Sequence, residues 1–119
     1  MGGSAEFIFT EGYSSVYNNP ELTDFVAEQI KAQAGTWLAD IDPEMAASED
    51  YFKVQKLPML GAEDYGFYTQ RVPSCFYRVA TGDAAPAHSG KFFIEENYVK
   101  LCTRSMASLA LRFLMDYNK

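Results

Sequence analysis

A chain of 119 residues holds material for about one small domain, and a hydrophobic share of 48% excludes disorder as its resting state. The net charge of -6 and a pI near 4.6 exclude a nucleic-acid binder, because grip on phosphate backbones comes from clustered Lys and Arg. The sequence has no apolar run near the roughly 20 residues that cross a bilayer, and its start lacks the basic and apolar regions of a signal peptide, so the expected setting is the cytoplasm, with no membrane partner.

Residues 1–4 read as a leader outside the fold, and residues 5–119 as a single domain. Residues 6–11 read as a strand with Phe7 and Phe9 on one face and Ile8 on the other, ended by Gly12. A helix follows: Asn19 is placed to cap it, Pro20 suits its first position, Glu21 favours the positive end of its dipole, and Gly35 closes it. Its apolar residues Leu22, Phe25, Val26 and Ile30 recur at helical spacing. Residues 37–41 and 53–57 read as short strands, separated by a turn or helical turn at Asp42-Pro43, the second halted by Pro58. Tyr65, Phe67 and Tyr68 form a short element that Pro73 terminates.

The apolar run 75–80, broken only by Arg78, fits a strand covered on both faces. Residues 82–90, with two glycines, a proline and the sole histidine, read as a loop. The last element is a helix over 95–117, with Tyr98, Val99, Cys102, Met106, Leu109, Ala110, Phe113 and Leu114 on one broad apolar face. Strands alternating with helices predict an α/β layered domain.

Taken one by one, the polar residues carry little chemistry. His88 alone in a loop reads as a surface or hydrogen-bonding residue rather than a ligand. The pair Glu63-Asp64 reads as a solvated pair or a cap for the element at Tyr65. The aromatic groups Tyr13 with Tyr17, and Tyr65 with Phe67 and Tyr68, read as packing. Cys75 and Cys102 read as reduced thiols in apolar surroundings, since no CxxC spacing joins them. No phosphate loop, nucleophile elbow or HExxH pattern is present.

Read in order, the same fragments form a pattern. Gly61-Ala62-Glu63-Asp64-Tyr65, then Val72-Pro73, an apolar run ending at Thr81-Gly82, and His88-Ser89 ahead of Phe92, Glu95-Glu96 and a long helix succeed one another. This series resembles the C-terminal end of the metal-dependent amidohydrolases and metallopeptidases of the aminoacylase, carboxypeptidase and hippurate hydrolase family. That family carries a GAEDF-like turn, a VPG-like turn and an HSP-like loop in this order. Asn18-Asn19-Pro20 after residues 6–11 resembles the passage from the last strand of the family's lid domain into a helix of its catalytic domain. The likeness covers most of residues 5–114, weakest over 37–60. Tyr65 stands for phenylalanine, Ser74 for the glycine after Val-Pro, and Gly90 for the proline after His-Ser.

The resemblance implies part of a layered αβα sheet domain, a remnant of a zinc-exopeptidase-like catalytic domain. It implies a pair of zinc or manganese ions in the complete enzyme, which activate a bridging water against the amide of an N-acyl amino acid or small peptide. It makes His88 a metal ligand and places Glu63 and Asp64 beside the substrate pocket. The family's Cys-x-His pair, its Glu-Glu with the general base and its middle histidine have no counterpart here. The chain is therefore expected to bind no metal and to be inactive alone, and to need either a partner chain that supplies the missing ligands or self-association. The competing reading is a non-catalytic interaction domain that oligomerises through surfaces left uncovered.

Overall fold

The structure is a computed structural model that describes residues 2–48, 50–54, 58–82 and 84–117. Four α-helices follow in chain order: α1 (Pro20–Leu38), α2 (Pro43–Ser48), α3 (Gly66–Thr69) and α4 (Glu96–Arg112), the last running into a π-helical turn (Phe113–Tyr117).

The start of α1 is dictated by its sequence. Asn19 Oδ1 accepts the Leu22 N–H at 2.9 Å, Pro20 takes the first turn, and the Thr23 hydroxyl donates to the Asn19 carbonyl at 2.7 Å. Gly35 does not close the helix. It keeps helical hydrogen bonding, accepts the Ala39 N–H at 3.1 Å, and lets α1 run on to Leu38. The strand expected over 37–41 is thus the last turn of α1 and a tight corner: the Leu38 carbonyl accepts from both Ile41 and Asp42, and Asp42 Oδ1 caps α2 through the Met45 N–H at 2.8 Å. Burial overrides the β-like composition here, because this corner delivers Trp37 and Leu38 to the core.

That core is small. Ala34, Trp37 and Leu38 of α1 meet Leu101 of α4, with Ile30, Ile41, Ala46, Tyr51, Val79 and Tyr98 around them. Polar ties extend the α1–α4 contact: Ser108 Oγ donates to Gln33 Oε1 at 2.6 Å, and Arg104 reaches the Trp37 carbonyl at 3.3 Å. Phe25 stands edge-on to Phe113 at 6.2 Å. Buried Ser105 shares a hydrogen bond with the Tyr77 hydroxyl at 3.1 Å.

Three further expectations fail. The predicted α/β layered sheet is absent: no strand occurs among the described residues. A strand exists only as part of a ladder, and neither 6–11 nor 75–80 exchanges backbone hydrogen bonds with a neighbouring segment among those residues. The third expected strand, 53–57, lies partly outside the described residues. The apolar face of α4 is also turned relative to the expectation. Tyr98, Leu101, Ser105 and Leu109 lie inward, while Val99, Cys102, Met106, Ala110 and Leu114 are exposed. Both cysteines are free, but only Cys75 is partly buried, so the expectation of two core thiols fails for Cys102.

Apolar exposure is extensive. The surface measures 9979 Å², against about 6500 Å² for a compact monomer of this mass. The radius of gyration is 18.6 Å, against about 13.5 Å for a compact chain of this length.

Candidate functional site

The segment around Glu63 and Asp64 is a chain of turns. Gly66 N–H donates to the Glu63 carbonyl, Phe67 N–H to that of Asp64, and Tyr68 N–H to that of Tyr65, each at 3.1 Å. The Glu63 side chain accepts the Tyr65 N–H at 3.3 Å ahead of α3. α3 itself, with Tyr65 at its N-cap position, has no side-chain cap, so the helix cap read from sequence is not formed. Asp64 is exposed instead and lines an open cleft of about 520 Å³ with Glu11, Gly12, Tyr13, Phe67 and Tyr68. The two carboxylates thus have different surroundings, and only Asp64 faces the cleft.

The cleft exists because residues 14–19 lie tightly across α3 and the run that follows it. A Cβ on Gly66 would collide with the Ser14 carbonyl oxygen, so only glycine allows the approach. Thr69 Oγ1 accepts the Tyr17 N–H at 3.2 Å, and Gln70 Nε2 donates to the Ser15 carbonyl at 3.2 Å. Asn18 completes the strap by acting as a substitute strand neighbour. Its Oδ1 accepts the Phe76 N–H at 2.8 Å and its Nδ2 donates to the Phe76 carbonyl at 2.9 Å. The next residue continues the pattern, with Asn19 N–H on the Ser74 carbonyl at 2.8 Å. Rings fill the gaps: Tyr13 stands 5.8 Å from Phe67, and Tyr65 lies 5.4 Å from Phe76. The sequence reading missed both Asn18 as a clip and Gly66 as a contact point. A glycine between two aromatics inside a helical turn was the available signal for the latter.

His88 sits in a separate place. Ser89 N–H donates to the Pro86 carbonyl at 3.1 Å and Phe92 N–H to that of Ser89 at 2.9 Å, so the loop is two consecutive turns. His88 occupies the left-handed region, with φ +67°, a conformation uncommon outside glycine. The residue is exposed, and no side-chain hydrogen bond engages its imidazole among the described residues. A hollow of about 350 Å³ beside the loop is lined by Thr81, Gly82, Lys91, Glu95 and Tyr98 among others. His88 lines neither this hollow nor the cleft at Asp64, so the structure does not gather the three expected site residues into one pocket.

A hydrolytic zinc centre takes three protein ligands with an open position for water. Among the described residues no group of three or more His, Cys, Asp or Glu side chains is placed to hold a metal ion. The residues present therefore do not fit a complete metal centre. Burial pushes the Cys75 thiol up from its ordinary value, opposed by a hydrogen bond with Thr23. That makes it a poor thiolate donor. No helix among the described residues is long and apolar enough to cross a membrane.

Comparison with known proteins supplies what the geometry leaves open. Thermostable carboxypeptidase 1 of Saccharolobus solfataricus is 30% identical over 118 residues, covering 94% of this chain and 26% of that protein. The relatives that match over most of this chain are carboxypeptidases and amidohydrolases. Two plant members are also similar: IAA-amino acid hydrolase ILR1-like 4 of Arabidopsis thaliana, 30% identical over 82 residues, covers 65% of this chain and 18% of the relative. ILR1-like 6 of the same plant is 35% identical over 63 residues, 49% of this chain and 14% of the relative. The chain spans about a quarter of the length of the carboxypeptidase, 26%. No family model matches it, and no solved structure matches it.

Proposed function

We infer that this chain is the C-terminal segment of a metal-dependent amidohydrolase or carboxypeptidase, inactive alone, and that residues 5–119 act as one unit within it. The observation that carries the reading is the 30% identity to a carboxypeptidase along 94% of the chain, joined to only 26% of that relative's length. The ordered series from Gly61-Ala62-Glu63-Asp64 through His88-Ser89 supports the C-terminal placement. His88 contributes one ligand to a zinc or manganese centre whose other donors lie outside this chain. Its exposed position at a turn favours that role, because the imidazole is not committed to the chain's own hydrogen bonds. Asp64 lines the substrate pocket, and Glu63 holds the turn that presents it. The substrate class is N-acyl amino acids or small peptides, and the setting is the cytoplasm, where Cys75 and Cys102 stay reduced.

The test is complementation. The purified chain is assayed on N-acyl amino acids with zinc or manganese, alone and after mixing with the preceding three quarters of a related carboxypeptidase. No turnover alone and turnover in the mixture, abolished by His88→Ala, is the expected outcome. Metal-dependent turnover by the chain alone refutes the segment reading, and a mixture indifferent to His88→Ala refutes the ligand assignment.

A further inference from the structure

Cations of this chain settle on aromatic faces. Lys31 lies 5.1 Å from the centre of the Phe52 ring, and Arg78 lies 5.6 Å from that of Phe76. The cleft at Asp64 has the same ingredients except the cation. Tyr13, Phe67 and Tyr68 line it together with the carboxylates of Glu11 and Asp64, and no Lys or Arg is among its lining residues. Tyr13 and Phe67 meet at 5.8 Å with a tilt of 53°, and both stay more than half exposed, at 57% and 54%. Neither carboxylate takes an ion pair or a side-chain hydrogen bond among the described residues, where the ion pairs go to Asp40, Asp50, Glu96 and Asp116 instead.

We propose that this cleft binds a guanidinium group, carried by an arginine side chain of the substrate. A guanidinium is planar and weakly hydrated. It lies flat on an aromatic face while its N–H groups fork onto a carboxylate, so it uses both kinds of wall at once. A neutral group gains only the rings, and an acidic one is repelled by Glu11 and Asp64. The volume of about 520 Å³ falls inside the range of about 300–1000 Å³ that small-molecule sites occupy. The wall that carries Glu11 and Tyr13 is held from behind. Residues 14–17 are fixed over α3 by the close approach at Gly66 and by the bonds to Thr69 and Gln70, so the cleft stands before any ligand arrives. The inference rests on the reading of this cleft as the substrate pocket and names the side chain that the pocket selects.

Binding is measured without turnover, so its failure and the failure of the amidohydrolase reading are distinguishable. The isotope-labelled full chain is titrated with N-acetyl-arginine amide and with N-acetyl-citrulline amide, its neutral isostere, and the amide resonances are followed by NMR. The arginine compound is expected to shift Gly12, Asp64 and Phe67 with millimolar affinity, and the citrulline compound to bind about tenfold more weakly. Asp64→Asn, Glu11→Gln and Phe67→Leu each weaken arginine binding by about two- to fivefold, with unchanged circular dichroism showing that each variant folds. Glu44→Gln, equally exposed but outside the cleft, leaves the affinity unchanged, which separates the cleft from the general attraction of a chain of charge -6. Equal affinity for the two compounds, shifts spread over the acidic surface, or indifference to both Asp64→Asn and Glu11→Gln overturns the proposal. Loss of arginine binding on mixing with the preceding three quarters of the related carboxypeptidase overturns it too, because the rest of the enzyme then covers the cleft.

Discussion

Replacing Gly66 by alanine tests how the strap is held down. The added Cβ meets backbone: it collides with the Ser14 carbonyl oxygen and sits 3.0 Å from its carbon and 3.5 Å from the Ser15 carbon. Backbone cannot swing aside as a side chain does, so residues 14–17 must lift. Lifting stretches the bonds from Tyr17 to Thr69 and from Gln70 to Ser15 and pulls Tyr13 from Phe67. Overpacking of this kind costs about 1–3 kcal/mol, and each exposed hydrogen bond lost adds up to about 1 kcal/mol. A destabilisation of about 2–4 kcal/mol follows for the strap and α3, with α1 and α4 retained. Urea unfolding gives the global part, and amide exchange at Phe76 gives the local part. An unchanged melt with Phe76 protection intact would refute the argument.

Gly35→Ala is expected to act in the opposite direction, stabilising by about 0.5–1 kcal/mol in urea, because Gly35 lies inside α1 and its Cβ would meet Tyr51 at an ordinary 3.7 Å. Asn19→Ala removes the cap of α1 and lowers stability by about 1 kcal/mol in the same measurement. Leu101→Ala leaves a hole at the α1–α4 contact and costs about 2–4 kcal/mol, a value near zero indicating that Leu101 does not anchor the core. Iodoacetamide at mildly alkaline pH labels exposed Cys102 well before Cys75. Since burial holds the folded Cys75 thiol above its ordinary 9.0, the unfolded chain ionises first, so stability falls as pH rises above about 9 and Cys75→Ala removes that part of the slope.

Local signals were readable where local chemistry decides the outcome. Asn19, Pro20 and Glu21 place the start of α1 because an orphan N–H needs an acceptor wherever the helix is packed. The end of α1 was not readable, because Gly35 is tolerated inside a helix once Trp37 and Leu38 gain a core by continuing it. Residues 75–80 have strand composition, but composition cannot show whether a neighbour is available, and the side chain of Asn18 takes that place at Phe76. Which side of α4 turns inward was ambiguous for a related reason: apolar residues occupy both sides, so period alone does not choose between Leu101 and Met106. For the site, a local role of Glu63 at Tyr65 was legible from its position, although its bond to the Tyr65 N–H does not cap α3. The divergence of Asp64 from Glu63 depends on residues 11–13 folding back over the turn.

The strap also sets an order of events in folding. Tyr17 with Thr69 and Asn18 with Phe76 join residues 52 and 58 positions apart, and the strap reaches α3, with its four residues, only through such distant partners among the described residues. Closing a loop of that size costs about 3–4 kcal/mol in chain entropy before any of these bonds forms. α1, by contrast, carries its own cap and needs no such closure to begin. The turn that presents Asp64 is therefore expected to be among the last parts to acquire protection and the first to lose it. A cut in the strap between Tyr13 and Asn19 would release the cleft while leaving the α1–α4 pair standing.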